Sequence, residues 1–158
     1  HHRSSAASDV YKRQSLCSMC ALTAISNPSG IVLNIPTFIG LCLFIVGFTI
    51  EVIADYQKTV FRSDPGNKNK FIKSGLWSRS RHPNYFGEII LWFAIALISF
   101  SSLNGTQYLT LISPIFTYLL LVYVSGVRML EARGDVKWGD NEEYIKYKKE
   151  TPMLFFKI

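Results

Sequence analysis

The sequence predicts an all-α, multi-pass transmembrane helical bundle with three spans and a charged cytoplasmic C-terminal tail. Three observations carry this. Hydrophobic residues make up 49% of the 158 residues and gather in long blocks. The charges, 17 basic and 11 acidic, gather between those blocks. The blocks also match the roughly 20 helical residues that cross a hydrocarbon core. Within lipid a backbone must satisfy its own hydrogen bonds, which leads to a helical bundle.

The elements follow in order. His1–Gln14 is polar and patternless, reads as translated adapter sequence, and is set aside from fold reasoning. Residues 15–158 are expected to be the C-terminal part of a larger membrane domain. Ser15–Ile25 is a short apolar stretch, and Asn27-Pro28-Ser29-Gly30 signals a turn. Ile31–Ala54 is the first span; no charge occurs from Ile31 to Ile50. Pro36 either kinks it or marks its first turn. Asp55–Arg81 is a basic connection with a strong turn at Asp64-Pro65-Gly66-Asn67. Pro83–Ser102 is the second span, and Pro83 suits a first helical turn, where its missing N–H costs nothing. Leu103–Gln107 is an uncharged turn. Tyr108–Leu130 is the third span, with Pro114 as a kink and Ser125-Gly126 as a point of close helix approach. The positive-inside rule puts the 55–81 connection and the 131–158 tail together on the cytoplasmic side.

Composition excludes some functions. A net charge of +6 could signal nucleic acid. The basic residues flank membrane-length segments, however, so lipid headgroups or a polyanionic cofactor fit better. Cys17 and Cys20 form a single CxxC and Cys42 lies in an apolar run. A structural zinc site needs four ligands, so no metal site is expected. There is no Walker loop, GxGxxG, serine nucleophile elbow or HExxH.

The chemistry concentrates at Arg79-Ser80-Arg81-His82-Pro83-Asn84-Tyr85-Phe86-Gly87-Glu88. Polar groups at a bilayer entrance are costly unless they bind something polar. Arg81, Asn84, Tyr85 and Glu88 are spaced to share one helix face, with His82 off it. A helix N-terminus beside Arg79, Arg81 and Lys73 favours an anion such as phosphate. The set suits a nucleotide; the alternative is a salt-bridged juxtamembrane loop with Glu88 paired to an arginine. A second stripe, Glu51, Asp55, Lys58 and Arg62, shares a face at the end of the first span. Arg128, Glu131 and Arg133 bring a third to the same edge, where Arg128 and Glu131 are spaced for an ion pair. In the tail, Trp138, Tyr144 and Tyr147 alternate with lysines. They fit an interfacial amphipathic helix with aromatic anchors, or a lid whose tyrosines stack on a nucleotide while Lys148 meets a phosphate.

Gly75-Leu76-Trp77 followed by Ser80-Arg81-His82-Pro83-Asn84-Tyr85-Phe86-Gly87-Glu88 resembles the signature of the steroid 5-alpha-reductase C-terminal-type membrane proteins, in the branch long catalogued as of unknown function. The resemblance covers roughly residues 40–158, from Ile53-Ala54-Asp55-Tyr56-Gln57 to Thr151-Pro152. It implies a multi-pass oxidoreductase that reduces a carbon–carbon double bond of a lipid or steroid-like substrate with NADPH. By position, Asn84, Tyr85 and Glu88 would contact the nicotinamide-ribose side; Arg79 and Arg81 are candidates for the phosphates by their charge. The implied location is the endoplasmic reticulum in a eukaryote or the inner membrane in a bacterium. The family's substrate-facing acid and tyrosine lie in N-terminal helices that this chain is expected to lack, so its catalytic residues stay unassigned. His82-Pro83 is also the spelling of isoprenylcysteine and phospholipid methyltransferases. That alternative would use S-adenosylmethionine, with Glu131 meeting its amine. A third reading is a non-catalytic lipid-binding protein.

Overall fold

The structure, a computed structural model, describes residues 18–124 and 126–157. The expectations for His1–Gln14, Cys17 and Ser125 lie outside the described residues. Among the described residues there are helices and no strand. Helix α1 covers 18–26. Helix α2 is Ile35–Ser63 and α3 is Pro83–Phe100. A 3-10 segment, Gly105–Leu111, leads into α4, Ile112–Leu119. A π-helical turn over Leu120–Val124 then precedes α5, Val127–Trp138, and α6, Glu142–Glu150.

Three stretches are long and apolar enough to cross a membrane: Ile35–Ser63, Pro83–Phe100 and Gly105–Trp138. The chain has the predicted spans, but their limits differ. The first starts at Ile35 because the Asn34 side chain accepts from Thr37 N at 3.2 Å and caps the helix. Pro36 therefore sits in the first turn and introduces no kink. Its far end runs past Ala54 to Ser63, where Asp64 closes it by accepting from Gly66 N at 2.8 Å. The third span is not one α-helix. It passes from 3-10 through α to π before breaking at Gly126.

Helices α2 and α3 pack antiparallel along their length. Gly40 faces Ala94 and Ile98, and Gly47 faces Gly87 and Leu91. A Cβ on Gly47 would lie 2.8 Å from Gly87 O, and one on Gly87 2.7 Å from Gly47 O. The backbones touch, as small residues allow inside a membrane, where apolar burial supplies no drive for helices to associate. The outer face of α2, with Phe38, Ile45 and Phe48 exposed, is left for lipid.

At the end away from the basic loop, the 27–37 and 102–107 turns are stitched together. Asn27 and Gln107 exchange reciprocal amide hydrogen bonds, at 3.0 and 2.8 Å. Ser102 Oγ accepts from Val32 N at 2.9 Å. Cys20 is a free thiol that donates to Thr110 O at 2.7 Å, while Cys42 is exposed.

At the basic end, the tail folds back on the 64–82 connection. Arg81 N donates to Pro152 O at 3.0 Å, and Lys157 N to Arg79 O at 2.8 Å. Ser80 Oγ donates to Leu154 O at 2.9 Å, and Leu154 is buried with Val122 and Val127. Phe86 packs edge-on against Phe155 and Phe156. Trp138, Tyr144 and Tyr147, the expected interfacial anchors, therefore turn inward, while Phe155 stays exposed. Tyr144 is buried, and both tyrosines turn in against Phe71.

Candidate functional site

The fold-back forms a half-open cavity of about 410 Å³ between the end of α2, the 67–82 connection, α5 and α6. Each element contributes on its helical period. Lys58, Phe61 and Arg62 come from α2, and Glu131, Gly134 and Trp138 from one face of α5. Gly134 is where Tyr144 lies closest to α5, so a side chain there would meet the phenol. Phe71 is the hub of the aromatic wall, with ring centres 5.1 Å from Tyr144, 5.4 Å from Tyr147 and 5.9 Å from Trp138. Trp138 Nε1 donates to Asn69 O at 2.7 Å. A second cavity of about 420 Å³ adjoins the first, and both are lined by Phe61, Lys70, Phe71 and Trp138.

The position of Trp77 explains how the connection is held. Its Nε1 donates to Ala54 O at 3.1 Å, and its own carbonyl accepts from Tyr147 Oη at 2.5 Å. Gly75 precedes it at φ +62°, where a Cβ would strike the Gln57 amide that accepts from Leu76 N at 3.0 Å. Glycine is the residue that fits both demands.

Charge in the main cavity is strongly one-sided. Lys58, Arg62, Lys68, Lys70, Lys137 and Arg81 line it, and Glu131 is the carboxylate there. Glu131 is already neutralised. Its Oε2 accepts from Arg81 Nη1 at 2.5 Å and lies 3.3 Å from Lys148 Nζ. Its Oε1 lies 2.8 Å from His82 Nε2. Among the described residues the other five cations form no carboxylate ion pair. Lys58 stands over Trp77 and Lys137 over Trp138, at 5.2 and 4.8 Å from the ring centres.

The predicted site residues divide into two groups. Arg81, His82, Glu131, Tyr144 and Tyr147 line the main cavity, and Lys148 reaches Glu131 from α6. Asn84, Tyr85 and Glu88 lie on α3 and do not line that cavity. Asn84 Nδ2 donates to Asp55 at 3.1 Å, and Tyr85 packs on the Val122–Val127–Leu154 cluster. Glu88 lies close to Glu51 across the α2–α3 seam. Arg79 is exposed. Three placements differ from those expected. Glu131 takes Arg81, not Arg128, which is exposed. Arg81 lies before α3 begins at Pro83, so helical spacing does not align it with Asn84; it turns with His82 to Glu131. Lys73, expected near an anion, pairs with Glu143.

Sequence reasoning missed Lys68, Lys70, Lys137 and Phe71 as cavity residues. Lys137 could have been found, because it falls two turns beyond Leu130 on the face that carries Glu131 and Gly134. The connection residues carry no periodic signal.

Burial raises the phenol pKa of both tail tyrosines above the ordinary value, so they stay neutral hydrogen-bonding groups. Burial opposes the charge on Lys148, yet its bond to Asp135 at 2.6 Å and the pull of Glu131 raise its pKa. Among the described residues two polar side-chain atoms remain buried without a hydrogen-bond partner, Arg81 Nε and Asn84 Oδ1. Such atoms cost free energy unless something else satisfies them.

A family model described as "Protein of unknown function (DUF1295)" matches residues 5–151. The chain belongs to the DUF1295 family. DUF1295 is the steroid 5-alpha-reductase C-terminal-like branch, as the signature implied. Curated relatives of this DUF1295 chain carry two kinds of name. A steroid 5-alpha-reductase of Gossypium hirsutum is 36% identical over 62 residues, 39% of this chain and 24% of its own length. A probable 7-dehydrocholesterol reductase of Acanthamoeba polyphaga mimivirus is 32% identical over 129 residues, 70% of this chain and 27% of its own. A probable O-methyltransferase of Ustilaginoidea virens is 36% identical over 90 residues, 55% of this chain and 32% of its own. The chain thus spans about a quarter to a third of the curated relatives it matches. No solved structure matches it.

Proposed function

We propose that this DUF1295 protein is a membrane oxidoreductase that reduces a carbon–carbon double bond of a lipid or steroid-like substrate with NADPH. One observation carries the choice of cofactor. Among the described residues the cavity holds five cations without a carboxylate ion pair, and its one carboxylate is spent on Arg81, His82 and Lys148. A polyphosphate ligand offsets that surplus. S-adenosylmethionine has a net positive charge and needs a free carboxylate for its amine, which Glu131 does not offer. The O-methyltransferase relative favours that second reading by similarity, and the charge in the cavity weighs against it.

The residues present fit the dinucleotide. Arg81, Lys58 and Arg62 would hold phosphates, and Arg81 Nε is a buried donor in need of an acceptor. Phe71, Tyr147 and Trp138 offer stacking faces. The adjoining cavity gives room beyond one mononucleotide. Asn84 Oδ1, also unsatisfied, would accept from a carboxamide N–H on the α3 side. NADPH, when bound, supplies the hydride. The chain's own part is to orient the ligand, exclude water beneath α6, and keep neutral phenols close by. The basic end would face the cytoplasm, where the cofactor pool is found.

Calorimetry on the protein in nanodiscs tests this. NADPH should bind more tightly than S-adenosylmethionine, and the reverse order would overturn the reading. Asn84→Ala should weaken NADPH binding roughly tenfold by removing a buried acceptor.

A further inference from the structure

We infer that Glu131 is a positioning residue, which aims Arg81 and His82 into the cavity and does not itself touch the ligand. This rests on the NADPH reading above.

The geometry is specific. A carboxylate can only accept hydrogen bonds, at about four lone-pair sites on its two oxygens. Three donors from two separate segments occupy this one: Arg81 and His82 from the connection, and Lys148 from α6. His82 must present Nε2–H to it, which sets the tautomer and ring orientation. Arg81 is gripped through Nη1 alone. Because a guanidinium is planar and rigid, fixing Nη1 also fixes the direction of Nε, the buried donor left unpaired. The fork is thus presented edge-on for an acceptor that none of the described residues provides.

The electrostatics agree. A bare carboxylate facing a phosphate would repel it. Glu131 is instead ringed by three basic groups, so it contributes alignment while its charge is offset locally. Lys148 adds a second function to the same carboxylate. It also bonds Asp135 at 2.6 Å, which ties α6 to α5 across the cavity roof. Alignment of Arg81 and closure of the tail therefore share one atom, Glu131 Oε2.

A double-mutant cycle on NADPH binding decides the matter, using the full chain in nanodiscs with the melting temperature of ligand-free protein recorded for each variant. Arg81→Ala should weaken binding about thirtyfold and Glu131→Gln about tenfold, the range for hydrogen bonds to charged groups. In the Arg81→Ala background Glu131→Gln should cost far less than the tenfold it costs alone, since only its hold on His82 is then left to lose. Additive losses would mean that Glu131 contacts the ligand itself and would overturn the inference, as would unchanged affinity in Glu131→Gln. Should Glu131→Gln fail to accumulate, Glu131→Asp, which keeps the charge but withdraws it by a methylene, enters the same cycle with the same criterion. If unmodified protein binds no NADPH, the functional reading falls and the inference with it; if it binds and the cycle is additive, the inference alone falls.

Discussion

Tyr147 shows how one residue joins stability to the site. Its hydroxyl donates to the Trp77 carbonyl at 2.5 Å while its ring walls the cavity beside Phe71. Tyr147→Phe should destabilise the protein by about 1–2 kcal/mol, because the Trp77 carbonyl loses its donor in a half-buried place. Thermal unfolding in detergent measures this, and no change would show that water replaces the bond. Alkaline pH gives a second check. Burial holds the phenol above its ordinary pKa, so the unfolded chain releases this proton first. Stability should therefore be intact below about pH 10, the ordinary phenol value, and fall as pH rises beyond it. Lys148, also raised, moves stability in the same direction. Tyr147→Phe should make the alkaline loss shallower. At this scale the sequence was partly readable. The ligand types at 79–88 stood out, but their partners did not. Arg128 is three residues from Glu131, and the partner it actually takes, Arg81, is fifty away.

Among the elements, the α2–α3 pair is the frame on which the site is hung. Its closeness comes from Gly47 and Gly87, whose neighbours are backbone atoms that cannot swing aside. Gly87→Ala should cost about 1–3 kcal/mol by forcing the helices apart, and should shift Asn84 relative to Asp55. An unchanged melting temperature would mean that the seam is looser than described. Spans of this kind are legible because hydropathy and length are local properties of a segment. Their ends were less so. Asn34 and Asp64 set the limits of α2 through side-chain bonds that an apolar count cannot see. The departure of the third span from α-geometry, through 3-10 and π turns to Gly126, likewise has no counterpart in its hydropathy.

Over the whole molecule, polarity divides the two ends. One carries an uncharged turn stitched by Asn27, Ser102 and Gln107; the other carries the basic connection and the tail. Glycosylation tags placed in 103–107 and after the C-terminus should report opposite sides of the membrane. Labelling of both from one side would refute the topology.

By itself, the sequence determined that this is a helical membrane protein of the steroid-reductase-like kind, with a polar cluster where a basic loop enters α3. Apolar block length, charge placement and a contiguous signature are all written locally along the chain. Only the tertiary structure decided that the tail closes inward, that Phe71 gathers the aromatic rings, and that Glu131 is consumed by cations while five other cations line the same cavity with no carboxylate ion pair among the described residues. Those outcomes depend on which distant segments meet when the chain turns back at Asp64 and Gly139, and charge pairing acts over a few ångströms of space regardless of separation in sequence.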